Sequence, residues 1–184
     1  MTTLVIGLII FISVHSVPSF PALRQDIIAR IGERPYKIAF AVIALFGFVL
    51  IVAGKAYTNF VWLWQPPAWG RHVTFALMLP ALVLLAAANM PTNIKRITRH
   101  PMLWGVALWA AGHLLANGDL ASLLLFGTFG AYALLDMWSA NSRGASKSET
   151  RFSITQDAAV VGAGAVAYGL FAFLHPYMFG VAVI

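Results

Sequence analysis

Residues 101–138 read PMLWGVALWAAGHLLANGDLASLLLFGTFGAYALLDMW. Two apolar segments flank the polar turn Asn117-Gly118-Asp119, and each approaches the roughly 20 residues that a helix needs to cross the hydrocarbon core of a bilayer. Gly118 can adopt the left-handed conformation after the first helix, and the Asp119 side chain can cap the second. This stretch therefore predicts two antiparallel membrane-spanning helices joined by a tight reversal.

The rest of the chain has the same apolar character. Of its 184 residues, 60% are hydrophobic and only 10% are charged, whereas a soluble domain carries about 25% charged residues. Six stretches are apolar enough to cross a membrane, namely residues 3–23, 35–56, 69–90, 101–117, 119–138 and 157–179. The sequence therefore predicts an all-α fold, a polytopic membrane bundle of about six transmembrane helices that forms one domain over residues 1–184.

Several classes of protein are excluded by composition. The chain has no cysteine, which excludes disulfides, thiolate metal sites and a cysteine nucleophile. The first apolar segment has no basic stretch before it and no small-residue cleavage site after it, so we expect it to be retained as a helix. The net charge of +6 does not indicate nucleic-acid binding, because lysine and arginine collect in the cytoplasmic loops of membrane proteins.

The positive charges also predict an orientation. The loops after the first, third and fifth predicted helices hold ten cationic residues, and the other side holds only Lys55 and Arg71. The ten are Arg24, Arg30, Arg34, Lys37, Lys95, Arg96, Arg99, Arg143, Lys147 and Arg151. By the positive-inside rule these loops face the cytoplasm. We therefore expect a bacterial inner-membrane protein with both termini in the periplasm.

The aromatic segment 60–69 then lies at the outer interface, where tryptophans form a belt. His72 and His175 fall near the same interface. Gly162, Gly164 and Gly169 predict a close-packing face on the sixth helix, either for a neighbouring helix or for a second copy of the chain.

Two histidines lie inside predicted spans, where an ionisable residue is a functional hypothesis by default. His15 is about 12 Å, and His113 about 18 Å, from the cytoplasmic ends of their helices at 1.5 Å per residue. A difference of about 6 Å is within the range that helix tilt accommodates. Both imidazoles can therefore reach the bundle interior.

Two imidazoles from different helices suit the axial positions of haem, as metal ligands. Arg24, Arg34 and Arg99 can then meet the haem propionates, and Trp104 and Trp109 can line the pocket. The alternative is that each histidine bonds a carbonyl or hydroxyl of a neighbouring helix, with Ser13, Ser16 and Ser122 as candidates. A zinc site is disfavoured, since no third ligand falls at a similar depth.

A third cluster stands at the start of the fourth predicted helix, where Arg99 and His100 precede Pro101. Cationic side chains beside the first N–H groups of a helix make an anion site. The other interpretation is a cytoplasmic positive cap without a ligand.

Taken together, these residues resemble the NnrU family of bacterial membrane proteins. The matching pieces are FxxxHSVPS at residues 11–19, LR at 23–24, IGERPY at 31–36, WQPPAWGRH at 64–72, NIKRITRHPMLWG at 93–105 and WxxxHLxANGDLAS at 109–122. The resemblance covers nearly the whole chain. It implies an association with nitrite and nitric oxide metabolism in denitrification.

The family is also similar to the plant 15-cis-zeta-carotene isomerase, a membrane enzyme that binds haem b through histidines. That similarity implies haem b on His15 and His113 and, as an activity, redox-dependent isomerisation of a polyene, a hydrophobic small-molecule substrate. Around Arg99, His100 and Gly105 the chain further resembles isoprenylcysteine carboxyl methyltransferases and phospholipid methyltransferases. This second resemblance implies S-adenosylmethionine as the cofactor, but the acidic pair of those enzymes is not evident among Asp136, Glu149 and Asp157.

Three functional hypotheses follow. The first is a haem b membrane protein of redox or nitrogen-oxide chemistry, possessing isomerase activity if it is an enzyme. The second is a membrane methyltransferase that uses Arg99 and His100. The third is a non-enzymatic accessory protein that handles haem for a respiratory complex.

Overall fold

The structure, a computed structural model, describes residues 1–181. It confirms the all-α fold class. The helices are α1 (Thr2–Ser16), α2 (Pro21–Ile31), α3 (Glu33–Ala56), α4 (Gly70–Asn89), α5 (Ile94–Ile97), α6 (Pro101–Ala116), α7 (Leu120–Ser142) and α8 (Ile154–Phe179).

The first predicted span, residues 3–23, is not one helix. Helix α1 ends at Ser16, a 3-10 turn follows at Val17–Ser19, and α2 starts at Pro21. Proline has no N–H for the helical ladder and clashes with the preceding turn, so Pro18 and Pro21 end one helix and start the next. Arg24 consequently belongs to the separate helix α2.

Five helices, α1 with its 3-10 turn, α3, α4, α7 and α8, are long and apolar enough to span a bilayer. Helix α6 is also apolar but has only 16 residues, about 24 Å of helix against a hydrocarbon core of about 30 Å. It packs between α4 and α7, so protein covers it on two sides. The chain is a multi-pass membrane protein.

The spanning helices pack as a row in the order α3, α1, α7, α6, α4, α8. The spatial order differs from the chain order, and α7 lies between α1 and α6. The end helices α3 and α8 carry exposed large apolar side chains such as Val42, Phe46, Val166 and Phe173. A surface of this kind is suited to lipid.

Glycines allow the closest helix contacts. A Cβ on Gly7 of α1 would come within 2.7 Å of the Ile51 backbone nitrogen on α3, and one on Gly54 would overlap Leu4. Gly164 of α8 approaches Val83 of α4 in the same way, with 2.6 Å to its Cα. Small residues let helix backbones approach where lipid supplies no hydrophobic drive.

The glycine face predicted on the last helix is thus divided. Gly164 packs on a neighbouring helix, whereas Gly162 and Gly169 have nothing within 4 Å of a Cβ. A second copy of the chain at this face stays a prediction.

One end of the row, called the basic end, gathers the three loops that hold the ten cationic residues. Arg143 donates to the Ser19 carbonyl at 2.9 Å, and the Ser148 N–H donates to the Lys95 carbonyl at 3.0 Å. Asp157 accepts from the Thr92 hydroxyl at 2.6 Å. These bonds confirm the predicted grouping of the loops. Which side of the membrane the basic end faces stays a prediction of the positive-inside rule.

The opposite end is held by a polar cluster in which Asp119 and Ser122 are buried and Lys55 is partly exposed. Asp119 accepts from the Ser122 N–H at 2.9 Å, which confirms the predicted cap, and from Lys55 Nζ at 2.9 Å. Lys55 also donates to the Ser122 hydroxyl at 2.7 Å. The bond from Lys55 ties α3 to the start of α7.

The predicted left-handed conformation of Gly118 is wrong, since the positive-φ glycines of the described chain are Gly32, Gly144 and Gly180. A glycine is needed there for space, because a Cβ would overlap the Trp64 carbonyl. The Gly118 carbonyl accepts from the N–H groups of Leu63 at 2.8 Å and Trp64 at 3.1 Å. The segment before α4 is thereby fixed against the α6–α7 turn.

We predict that Gly54→Val destabilises the protein by about 1–3 kcal/mol, because the added side chain overpacks the α1–α3 contact. Gly162→Val is the matched control, as it makes the same helix-interior change where nothing lies within 4 Å. Unfolding in mixed micelles by dodecyl sulfate would measure both. Equal losses of unfolding free energy in the two variants would show that the close α1–α3 contact at Gly54 does not limit the size of the side chain.

A second prediction concerns acid stability. Burial raises the pKa of the Asp119 carboxyl, but hydrogen bonds from Ser122 and Lys55 lower it by more, so its pKa lies below the ordinary 3.8. The stabilisation is therefore complete above that value and is lost as the pH falls through the lower folded pKa. Asp119→Asn should melt below the wild type at neutral pH, and the gap should narrow in acid. Asp26→Asn, in the exposed pair with Arg30, is the control and should show no such narrowing.

Candidate functional site

The two intramembrane histidines make the same local bond. His15 Nδ1 lies 2.7 Å from the Phe11 carbonyl, and His113 Nδ1 lies 2.8 Å from the Trp109 carbonyl. A carbonyl only accepts, so Nδ1 carries the hydrogen and Nε2 of the neutral ring keeps its lone pair. The partner is a carbonyl of the same helix, not the group of a neighbouring helix that the alternative interpretation predicted. Each imidazole is therefore held in the tautomer that presents Nε2.

Aromatic rings connect the two histidines across three helices. His15 stacks on Phe11 with ring centroids 4.0 Å apart, and Phe11 lies 5.3 Å from Phe129 of α7. Phe129 lies 5.7 Å from Trp109 of α6, which lies 5.2 Å from His113. We call these five residues the aromatic run. The two imidazoles are linked through it and make no ring contact with each other within the described chain.

The two histidines, on α1 and α6, contact α7 at different levels along its axis. The His15 carbonyl accepts from the Tyr132 hydroxyl at 2.8 Å, whereas the His113 ring stacks on Phe126 at 4.5 Å. Tyr132 and Phe126 are about 9 Å apart along the helix axis, more than the roughly 6 Å expected from the sequence. Helical side chains lean towards the N-terminus of their helix. Because α1 and α6 run in opposite directions, each imidazole leans towards the level of the other.

Further residues surround His15 that the sequence did not single out. Phe40 of α3 meets the His15 ring edge-on at 5.1 Å, and Tyr36 lies one turn before it at 6.3 Å. The Tyr36 hydroxyl is buried and has no hydrogen-bond partner among residues 1–181. The Arg24 guanidinium lies 5.5 Å from the Tyr36 ring centre. The spacing of Tyr36 and Phe40 by four residues was the available signal that both occupy one face of α3.

The chain has relatives among known proteins. A profile described as NnrU protein matches residues 3–183. The chain belongs to the NnrU family. It is also similar to a protein from Zea mays described as 15-cis-zeta-carotene isomerase, chloroplastic, with 26% identity over 171 residues. The match covers 79% of this chain but only 45% of the maize protein. No solved structure matches the chain.

In this NnrU-family chain the predicted site residues fall into two groups. His15, His113 and Trp109 lie in the aromatic run, and Arg24 stands beside it through Tyr36. The remaining four, Arg34, Arg99, His100 and Trp104, make no hydrogen bond or ring contact with the aromatic run within residues 1–181, although Arg34 lies two residues before Tyr36 on α3.

Arg99 and His100 bind one acceptor at the basic end, the Asn141 side-chain oxygen, at 3.0 Å each. Asn141 is about 22 Å along α7 from Phe126, the level of His113. Trp104 is 45% exposed near that end, and Arg34 is exposed in the first turn of α3. The structure does not bring these residues together with His113.

Fewer groups of the structure support the other two chemistries, a zinc site and methyl transfer. Within the described residues no three His, Cys, Asp or Glu side chains come together as metal ligands. Asp136 accepts from the Ser19 hydroxyl at 2.6 Å, and Asp157 is held by Thr92 and Asn93. Glu149 is exposed in the loop before α8. Methyl transfer at Arg99 and His100 stays a prediction.

We predict that Phe129→Ala lowers the free energy of unfolding by about 1–3 kcal/mol, because it removes two aromatic pairs of about 0.5–1.5 kcal/mol each. Phe171→Ala, at an exposed position of α8, is the matched control and should cost less than about 0.5 kcal/mol. Dodecyl sulfate titration would compare them. A Phe129 variant as stable as its control would show that the run does not hold α1 and α6 on α7.

Proposed function

We propose that this chain is a membrane-embedded isomerase of a conjugated polyene, with its reaction centre at the aromatic run. Membership of the NnrU family and similarity to the maize protein support a role of this class. The chain spans less than half of the maize protein, so substrate and activity are parts of the proposal. The observation that carries it is the pair of imidazoles with Nδ1 fixed and Nε2 presented.

Haem b is the cofactor that we propose for this pair. Ligating histidines characteristically donate their second ring N–H to a carbonyl or carboxylate, and His15 and His113 both do so. The apolar rings around them suit a porphyrin. His15 and His113 are the residues that would hold the group, and its iron would supply a redox-active Lewis acid.

Arg24 is the cation that the aromatic contacts connect to His15, through Tyr36 and Phe40. We propose that it binds a haem propionate by a charge-assisted hydrogen bond. The buried Tyr36 hydroxyl supplies a second donor in the same region. An unpaired buried hydroxyl is costly, and a polar group of the ligand would satisfy it.

The chain's own contribution to isomerisation is binding and orientation. A cis–trans change moves no atom from one molecule to another, so no residue has to transfer a proton. The faces of Phe11, Phe129 and Trp109 provide apolar, polarisable contact for a conjugated chain. These apolar rings also exclude water from the bound conjugated chain, as is usual in ligand sites lined by aromatic side chains.

We propose that the substrate enters from the bilayer, through a groove between α1 and α7. The groove has a volume of about 320 Å³ and is lined by residues including Leu8, Ile12, Leu124 and Thr128. The two helices that line it also carry Phe11 and Phe129. A long apolar molecule is concentrated in lipid, so a lateral path avoids transfer through water.

Two wider statements belong to the proposal as well. Residence in a bacterial inner membrane with periplasmic termini rests on the charge bias of the loops. The association with nitrite and nitric oxide metabolism rests on the family resemblance, and both stay predictions.

The test is the absorbance spectrum of the detergent-purified protein, oxidised and reduced with dithionite. We expect a Soret band in the wild type that is lost or shifted in His15→Ala and in His113→Ala, because each variant removes a side chain that would hold the haem. His175→Ala is the matched control. That imidazole also has Nδ1 against a carbonyl, of Val181 at 2.7 Å, but it lies outside the aromatic run, in the last turns of α8. Its spectrum should equal that of the wild type.

The activity is tested separately by incubating the reduced protein with 15-cis-zeta-carotene and resolving the isomers by chromatography. We expect conversion in the wild type and in the His175 variant, and a rate at least about 100-fold lower in His15→Ala and in His113→Ala. A 100-fold lower rate corresponds to an activation free energy about 2.7 kcal/mol higher. A Soret band without conversion would reject the isomerase and leave a haem protein. Conversion without any haem would reject the cofactor.

A further inference from the structure

A pocket at the basic end is separate from the aromatic run. It has a volume of about 470 Å³ and lies between the end of α4, helix α5, the first turn of α6 and the loop 143–153. Its lining includes the cationic residues Lys95, Arg99 and Lys147, together with the His100 imidazole. No Asp or Glu of the described chain lines it, and Glu149 beside it in sequence is exposed.

The pocket is built by specific bonds and does not result from a loosely placed loop. The Ser148 N–H donates to the Lys95 carbonyl at 3.0 Å. Asn93 holds the loop a second time, donating to the Phe152 carbonyl at 2.8 Å and accepting from its N–H at 3.0 Å. Lys147, next to Ser148 in sequence, is thereby held in the lining of the pocket together with Arg99.

The electrostatics of this pocket require an explanation. The described ion pairs involve Arg30, Lys37 and Lys55, so none neutralises a pocket cation. Like charges lining one cavity repel one another, and an anion bound between them removes that cost.

The geometry also indicates the form of the anion. Arg99 and His100 are oriented by a shared acceptor, Asn141 at 3.0 Å. Met102 and Leu103 belong to the first turn of α6, whose N–H groups have no acceptor within the helix. Guanidinium, ammonium and first-turn N–H groups together match the oxygens of a phosphate.

The inner side of the pocket is apolar. Ala88, Pro101, Met102 and Leu103 line it where α4 and α6 enter the membrane. We propose that this pocket binds the phosphate group of an anionic amphiphile, with the phosphate on the cations and the apolar chain along α4 and α6. Basic pockets between transmembrane helices on the cytoplasmic side recognise lipid headgroups in this way. A soluble phosphate has the same chemistry for the cations but does not use the apolar side.

The experiment uses the full-length protein in detergent and titrates dioctanoyl phosphatidic acid, dioctanoyl phosphatidylcholine and inorganic phosphate by calorimetry. We expect phosphatidic acid to bind most tightly. Arg99→Gln and Lys147→Gln should each weaken it about tenfold, equivalent to 1.4 kcal/mol. Lys147 lies in a surface loop, so its variant tests the pocket even if the Arg99 variant folds poorly.

The matched controls are Arg30→Gln and Lys37→Gln, which remove the same charge at the same end of the protein from exposed ion pairs. They should change the affinity less than about twofold. Binding of inorganic phosphate with the same dependence on Arg99 and Lys147 supports the phosphate site and identifies a soluble source.

Equal losses in the pocket and control variants would overturn the proposal, since only surface charge would then matter. Unchanged affinity in both pocket variants would overturn it too, as would binding of S-adenosylmethionine that needs Arg99 without any phosphate binding. The Soret band should stay intact in the pocket variants, because no residue of the aromatic run lines the pocket and Asn141 lies about 14 Å along α7 from the level of His15 and about 22 Å from that of His113. Failure of this proposal is therefore distinguishable from failure of the haem proposal.

Discussion

The contact of Phe129 with Phe11 on one side and Trp109 on the other is the interaction on which the candidate site depends. Helices α1 and α6 carry the two intramembrane histidines, and α7 lies between these helices in the row. Lipid offers no hydrophobic drive for helices to associate, so packing and polar bonds must hold them. The ring of Phe129 meets a neighbour from each helix and thereby makes two distant histidines parts of one region.

The ends of the row are stabilised by a different kind of interaction. At the opposite end the buried Asp119 and Ser122 bond each other and the partly exposed Lys55. At the basic end Asp157 accepts from Thr92 and Asn93. Thr92, Asp119 and Ser122 are buried, and buried polar groups are costly unless paired, so the bonds of these three residues fix which helix ends come together. The apolar middle is thereby left to the aromatic contacts and to the glycine-mediated approach of α1 to α3 and α4 to α8.

The two sites differ in chemistry because they differ in position. The aromatic run lies where neutral imidazoles and apolar rings are tolerated, and it suits a lipophilic cofactor or substrate. The pocket around Arg99 and Lys147 lies where cations can remain charged, and it suits a phosphate. Arg99, expected from the sequence to meet a haem propionate, belongs with His100 to the second environment. Along α7, Asn141 lies about 14 Å from Tyr132, the level of His15, and about 22 Å from Phe126, the level of His113.

The sequence by itself determined the membrane-spanning helices, the grouping of the basic loops and the two histidines inside spans, because hydropathy, positive charge and helical rise act locally. It also predicted the Asp119 cap, which needs only the three residues that follow. It missed the break at Pro18 and Pro21, and it gave Gly118 a left-handed turn where the constraint is the nearby Trp64 carbonyl. Only the tertiary structure decided that α7 separates α1 from α6 and that Tyr36 and Phe40 adjoin His15. Those facts depend on which helices pack side by side, and a helix that faces lipid has much the same composition as one that faces another helix.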